Sequence, residues 1–246
     1  RLVAAQYTRN DLDYAPGNFR VRGDTVDIFP AYATEGIRVD FFGDEIDAIH
    51  ALSVPDFRMG VAMPAAVVTP AKQFVMPKDK MEAAYGRIEA ELKERLADFE
   101  GAKKYLEAQR LRERTEYDIE MMRQLGYCNG IENYSRPLTG RAPGEPPECL
   151  LDYFPDDFLT IIDESHVAVP QLRAMYNGDQ ARKQKLVDYG FRLPSAKDNR
   201  PLTFPEFERK VHQIVFTSAT PGDYEYGVAK TVAEQVIRPT GLLDPE

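Results

Sequence analysis

Four consecutive residues, Asp163-Glu164-Ser165-His166, come directly after the apolar run Phe158-Leu159-Thr160-Ile161-Ile162. A strand here would deliver two adjacent carboxylates at its carboxyl end, which is where nucleotides bind in α/β sheets. Metal-dependent hydrolysis of a nucleoside triphosphate uses one acid to hold Mg²⁺, usually through water, and a second to orient or deprotonate the attacking water. Asp163 suits the first role and Glu164 the second. A strand ending in two solvated acids fits the same residues. The next apolar run, Gln213-Ile214-Val215-Phe216-Thr217, empties into Ser218-Ala219-Thr220-Pro221-Gly222. Hydroxyls there can hydrogen-bond carboxylates on a neighbouring strand and pass a change at the γ-phosphate to another surface. Ser-Ala-Thr is also an ordinary strand-end turn, so it is the pair of motifs together that points to a motor. His166, beside the acids, can sense nucleotide, although a lone histidine after a strand is more often held by structural hydrogen bonds. His50 and His212 have no partners at metal-ligand spacing, so no zinc site is expected.

The elements that position these groups emerge from periodicity. Residues Phe19 to Phe42 alternate in the manner of strands, with a turn at Gly23-Asp24 and a third run at Ile37, Val39 and Phe41. On a one-sided sheet Arg20, Arg22 and Arg38 would face outward with Asp40. Pro55, Pro64, Pro70 and Pro77 break the next stretch, up to about Val75, into short strands and loops. From Lys78 the period becomes helical through Met81, Tyr85, Ile88, Leu92, Leu96 and Phe99, and Gly101 interrupts it. A second helix is predicted from about Ala102 to Leu125, ending at Gly126, as the return arm of an antiparallel hairpin. The Pro- and Gly-dense stretch from Tyr134 to Pro147 reads as a long surface loop.

Length and composition bound the rest. The 246 residues favour two or three packed units. The net charge of -9 describes an acidic, soluble protein without a global basic footprint, so any nucleic-acid contact must be local. Cys128 and Cys149 are too few for a disulfide framework, and no apolar run is long enough to span a membrane. A reducing cytoplasm is the expected compartment, with no membrane partner. The start at Arg1 and the abrupt stop at Pro245-Glu246 read as a piece cut from something longer.

Four longer strings carry a resemblance: Gly126 to Arg136, Leu150 to His166, Phe191 to Leu202 and Ile237 to Pro245. Their wording and order resemble the excinuclease ABC B subunit, the damage-verification protein of bacterial nucleotide excision repair. The resemblance implies a multidomain α/β and α+β chain: an incomplete RecA-like P-loop ATPase domain with a helical insert, and a mainly antiparallel β partner-binding domain. The expected division is 1–75 for a β-rich domain docking the A subunit, 76–150 for a helical hairpin and loop, and 151–246 for a partial motor domain. It further implies a helicase-like superfamily 2 ATPase in the full-length parent, with ATP and Mg²⁺ as cofactors, Asp163 and Glu164 catalytic, Asp163 holding Mg²⁺ through water, and His166, Ser218 and Thr220 coupling the motor. Partners would be the A subunit, the C subunit and damaged DNA.

Arg9, Arg20, Arg22, Arg38 and Asp40 are the candidate docking residues, because arginines on one sheet face offer planar, bidentate donors to a partner's carboxylates. A solvated polar sheet face is the alternative. Arg136 and Arg141, with Asn199 and Arg200, are candidates for DNA phosphate or base contacts. No Gly-x-x-x-x-Gly-Lys-Ser/Thr string occurs in the chain. This chain by itself is therefore expected to retain A-subunit binding, to hold no cofactor and to lack ATPase activity. The family's aromatic β-hairpin is expected upstream of Arg1 and its second motor domain downstream of Glu246. A standalone A-subunit interaction module, like that of the transcription-repair coupling factor, is the alternative reading.

Overall fold

The computed structural model describes residues 1–54 and 56–236, and the string Ile237 to Pro245 lies outside the described residues. Contacts group Arg1–Pro143 with Leu186–Asn199, and Gly144–Lys185 with Arg200–Glu246.

In the first unit a six-stranded sheet runs in sequence order: β1 (Thr8–Arg9), β2 (Asn18–Arg22), β3 (Thr25–Ile28), β4 (Gly36–Phe42), β5 (Glu45–Leu52) and β6 (Met59–Ala62). β1 joins β2 in parallel and every other neighbour is antiparallel. The alternation read in the sequence holds: Phe19, Ile28 and Val39 are buried on one face with Tyr7, and Val21, Val26, Ile37, Phe41 and Ile49 pack against them. β5 carries no clear sequence signal, because Glu45-Ile46-Asp47 opens it with exposed acids rather than an apolar run.

The opposite face departs from expectation. Arg20 pairs across the sheet with Asp27, and Asp27 with Arg38. Arg20 is only 5% exposed and Asp27 2%. A one-sided sheet with Arg20 facing outward is thus corrected: Tyr14 and Phe57, from two separate loops, close over this row. The Arg20 guanidinium lies 3.7 Å from the Phe57 ring centroid and 5.2 Å from that of Tyr14, cation–π distances that favour a desolvated arginine.

The helical part is α1 (Lys78–Gly101) and α2 (Tyr105–Leu125). Every member of the predicted α1 stripe is buried except Leu96, which packs against the core from its edge. Ion pairs Glu100–Arg112 near the turn and Glu89–Arg123 farther from it register the helices as an antiparallel hairpin. Gly126 ends α2 at φ 71°, donating its N–H to the Met122 carbonyl, the left-handed cap that glycine adopts at least cost.

The predicted loop after Tyr134 is corrected in part. A 3₁₀ turn (Ile131–Tyr134) leads into α3 (Ser135–Thr139), with Tyr134, Ser135, Pro137 and Leu138 buried. Pro137 sits in the first turn, where a backbone N–H would have no helical acceptor, so its missing donor costs little. The segment Leu186–Asn199 returns to this core: Leu193 joins the apolar cluster, and Ser195 and Ala196 are buried in a second 3₁₀ turn (Pro194–Asp198). Gly190, at φ 70°, lies against the Glu107 backbone, where any Cβ would collide with the carbonyl.

The second unit holds β7 (Leu159–Ile162) and β8 (Gln213–Phe216), paired in parallel, with α4 (Ser165–Asp188) as far as Lys185, α5 (Phe204–Lys210) and α6 (Asp223–Val228). Among the described residues no helix is long and apolar enough to cross a membrane.

Candidate functional site

The parallel register aligns Ile162 with Phe216, so Asp163 and Thr217 leave the two strands side by side. Asp163 Oδ1 accepts the Thr217 hydroxyl at 2.6 Å and the Glu164 backbone N–H at 3.0 Å. These two bonds hold the exposed Asp163 carboxyl below its ordinary value, the Thr217 bond first. Donors aimed at a carboxylate stabilise its charged form.

Glu164 sits at φ 45°, a left-handed conformation that is strained for a side-chain-bearing residue. Its carbonyl accepts the first amides of α4, from Val167 and Ala168, so the acid stands at the mouth of that helix with its side chain 67% exposed. His166 Nδ1 lies 2.7 Å from Ser218 Oγ and 3.4 Å from Glu164 Oε2. The Ser218 hydroxyl also accepts the Thr220 amide at 3.0 Å, closing the turn.

Thus Asp163, Glu164, His166 and Ser218 come together. Thr220 enters only through its backbone, and the hydroxyl that touches a carboxylate is that of Thr217. In the sequence the Ser-Ala-Thr string stands out and Thr217 does not, whereas the strand ends put Thr217 opposite Asp163. An exposed, ionised carboxylate of this kind suits a hydrated Mg²⁺. Among the described residues there is no cluster of three or more His, Cys, Asp or Glu fit to ligate a metal directly.

The sheet of the first unit separates its candidates into two groups. Asp27 takes Arg20 Nε at 2.7 Å on Oδ2, and Arg38 Nε at 2.7 Å on Oδ1 with Arg38 Nη2 at 3.0 Å on Oδ2. Burial pushes the Asp27 carboxyl up, but the hydrogen bonds from Arg38 and Arg20 outweigh it and leave it below its ordinary value. Arg9 and Arg22 are exposed, Arg9 holding Asp11 at 3.1 Å. Arg38 keeps 21% of its side chain accessible, and Asp40 accepts the Thr25 hydroxyl at 2.8 Å. Arg20 is therefore a buried member of the row and cannot reach a partner without opening the aromatic cover.

The loop arginines are engaged within the chain. Arg136 pairs with Asp198 at 2.6 Å and with Glu91 at 3.5 Å. Arg141 donates to Thr139 Oγ1 and Ser135 Oγ, both at 2.9 Å, and to the Asp198 carbonyl at 3.3 Å. With the Ser195 amide on Glu91 at 2.6 Å, these bonds tie α1, α3 and the Pro194–Asp198 turn together. Asn199 closes that turn by donating its amide to the Ala196 carbonyl.

Arg200 forks onto Glu206 through Nη1–Oε2 at 2.8 Å and Nη2–Oε1 at 2.9 Å. Glu206 in turn closes the capping box of α5 by accepting the Thr203 amide at 2.7 Å. The Arg200 hydrogen bond first, then the Thr203 bonds, lower the Glu206 carboxyl to about 2 against an opposing effect of burial. A depressed carboxylate contributes stability that is complete above its unfolded pKa and is lost as pH falls through the folded one. Acid unfolding of this unit, followed by circular dichroism, is expected to run from about 4.5 down toward about 2. In Glu206→Gln that acid limb is expected to be shallower; an unchanged limb would show that Glu206 does not report on folding.

Known proteins share both units. Residues 1–74 match the family model described as the UvrB interaction domain, and residues 79–140 the UvrB third helical domain. The UvrABC system protein B of Chloroflexus aggregans is 59% identical over 246 residues, covering 100% of this chain and 37% of that protein. The same protein of Streptococcus gordonii is 60% identical over 246 residues, with 100% and 37% covered. That of Methanothermobacter thermautotrophicus is 56% identical over 245 residues, with 100% and 38% covered. The chain thus spans little more than a third of the length of these relatives. Aligned over its whole length with part of such proteins, and matching two UvrB domains in order, the chain belongs to the UvrB family.

Proposed function

We propose that this chain supplies the A-subunit docking surface and one half of the ATP site of a damage-verification subunit in nucleotide excision repair. The observation that carries the docking role is the arginine rim of the sheet: Arg9, Arg22 and the accessible edge of Arg38 lie within residues similar to the UvrB interaction domain. Guanidinium groups on a rigid sheet offer bidentate partners to carboxylates, and Asp40 beside them offers the opposite charge for register.

The motor role is supported by the strand-end pair of Asp163 and Glu164 and by the Thr217 and Ser218 hydroxyls on the adjacent strand. The open face of the second unit agrees with it. Leu159, Ile161 and Val215 are 55%, 63% and 44% exposed on one side of a parallel pair. Parallel sheets are covered on both faces, so these strands fit as part of a larger RecA-like sheet. In this reading Asp163 holds a hydrated Mg²⁺ and Glu164 orients the attacking water, while bound Mg-ATP supplies the phosphoryl group. Without a phosphate-binding loop the chain alone holds no ATP. Residues 1–75, 76–150 and 151–246 then divide docking, helical insert and partial motor domain. The C subunit and damaged DNA are partners of the whole protein, in the cytoplasm.

Docking is tested by titrating the chain with the A subunit at two salt concentrations. Arg9→Glu with Arg22→Glu is expected to weaken binding by about tenfold to a hundredfold, more at low salt, with the circular dichroism spectrum unchanged. Retained affinity in a folded double variant would move the docking surface off this rim.

A further inference from the structure

The seam between α1 and α2 has two sides, and they differ. On one, Arg87 donates to the Pro137 carbonyl, Glu91 accepts the Ser195 amide, and Asp118 takes both Arg114 and the Tyr134 hydroxyl. The 3₁₀ turns and α3 fill that side. On the other lies an open groove of about 670 Å³. Its floor is Leu92, Leu96 and Ile119, with Leu92 and Ile119 6% and 5% exposed. Its ends are closed by Glu89–Arg123 at 3.0 Å and Glu100–Arg112 at 3.1 Å.

Between those bridges Glu116 and Glu120 line the groove one turn apart on α2, Glu120 accepting the Gln124 side-chain amide at 2.6 Å, and Lys93 lines it from α1. Among the described residues none of the three has an ion-pair partner. We propose that this groove receives one basic amphipathic helix of a partner protein. Its apolar stripe would seat on Leu92, Leu96 and Ile119, and its flanking lysines or arginines would meet Glu116 and Glu120. The bridges lie eleven residues apart on each helix, which at about 1.5 Å per residue leaves room for roughly three turns. An amphipathic helix laid apolar face down is an established way to fill such a groove; with Glu89 and Glu100 paired to Arg123 and Arg112, the remaining lining charge is two acids against the single Lys93, a net acidic balance that favours a basic flank over an acidic one.

The test uses the full chain and two fluorescent 14-residue helical peptides sharing one leucine stripe, one flanked by lysine and the other by glutamate. Anisotropy titrations are expected to show the lysine peptide binding at least tenfold tighter. Leu96→Asp is expected to abolish that binding with helicity unchanged, and Glu116→Lys with Glu120→Lys to reverse the preference. Equal binding of both peptides, no binding at millimolar peptide, or a preference that survives the charge reversal would overturn the proposal. Sedimentation velocity covers the remaining occupant: a chain dimer that Leu96→Asp dissociates would assign the groove to a second copy and also overturn it.

Discussion

Replacing Asp27 with alanine is expected to lower the stability of the amino-terminal sheet by about 3–5 kcal/mol, enough to unfold it partly at room temperature. Among the described residues Asp27 is the only acid hydrogen-bonded to the two guanidinium groups, of which Arg20 is buried beneath Tyr14 and Phe57. Its loss leaves one cation buried without a counter-charge and a second half-buried beside it. Removing one member of a buried ionic cluster costs far more than the cluster is worth against a well-packed apolar replacement. Arg20→Glu is expected to be as severe, since it sets two carboxylates side by side in that place. Urea unfolding followed by circular dichroism reads both. A midpoint within experimental scatter of the unsubstituted chain would mean that water reaches the row freely and that Tyr14 and Phe57 do not cover it. This matters for any docking study, because lost A-subunit binding in Arg20→Glu would report a damaged sheet, whereas Arg9 and Arg22 can be reversed on the surface.

Glu164→Gln, introduced into a full-length protein of this family, is expected to reduce ATP hydrolysis by about 10²–10⁴-fold while leaving A-subunit affinity unchanged. The magnitude is that of a positioned general base. Glutamine keeps the size of the side chain and adopts the left-handed conformation with similar strain, so the backbone at φ 45° need not move. Steady-state phosphate release and an A-subunit titration on the same preparation separate the outcomes. Hydrolysis within a few fold of the parent would remove Glu164 from the catalytic role. Loss of both readouts would point to a broken entry into α4 rather than to chemistry.

How much of this was legible depended on whether a signal was local. The α1 stripe is a run of spacings by three and four, and helical geometry turns it into a buried face without outside help. The strands around Phe19, Val26 and Val39 announced themselves by alternation, and the turn at Gly23 set the register of the first two. Alternation also named the face on which Arg20 and Arg38 lie, but not Asp27 as the acid between them. It did not tell what covers that face, because the cover comes from Tyr14 and Phe57, neither adjacent in sequence to the row. The density of proline and glycine after Tyr134 argued for a loop, yet Pro137 occupies the one part of a helix that tolerates it. At the strand-end site the acids were legible as a motif. Thr217 required a register that no single strand contains, since its contact with Asp163 exists only once β7 and β8 lie in parallel.

The helical core is closed by a piece of chain made late. Leu193, Ser195 and Ala196 fill a slot among α1, the Ile131–Tyr134 turn and α3, while Gly190 fits against the Glu107 backbone. On a ribosome adding about 5–20 residues per second, the hairpin emerges complete several seconds before the segment that seals it. For that interval Leu138, Ile131 and their neighbours line an open apolar slot. A nascent chain stalled before Leu186 therefore presents this slot to chaperones, whereas in the finished chain Leu193, Ser195 and Ala196 fill it.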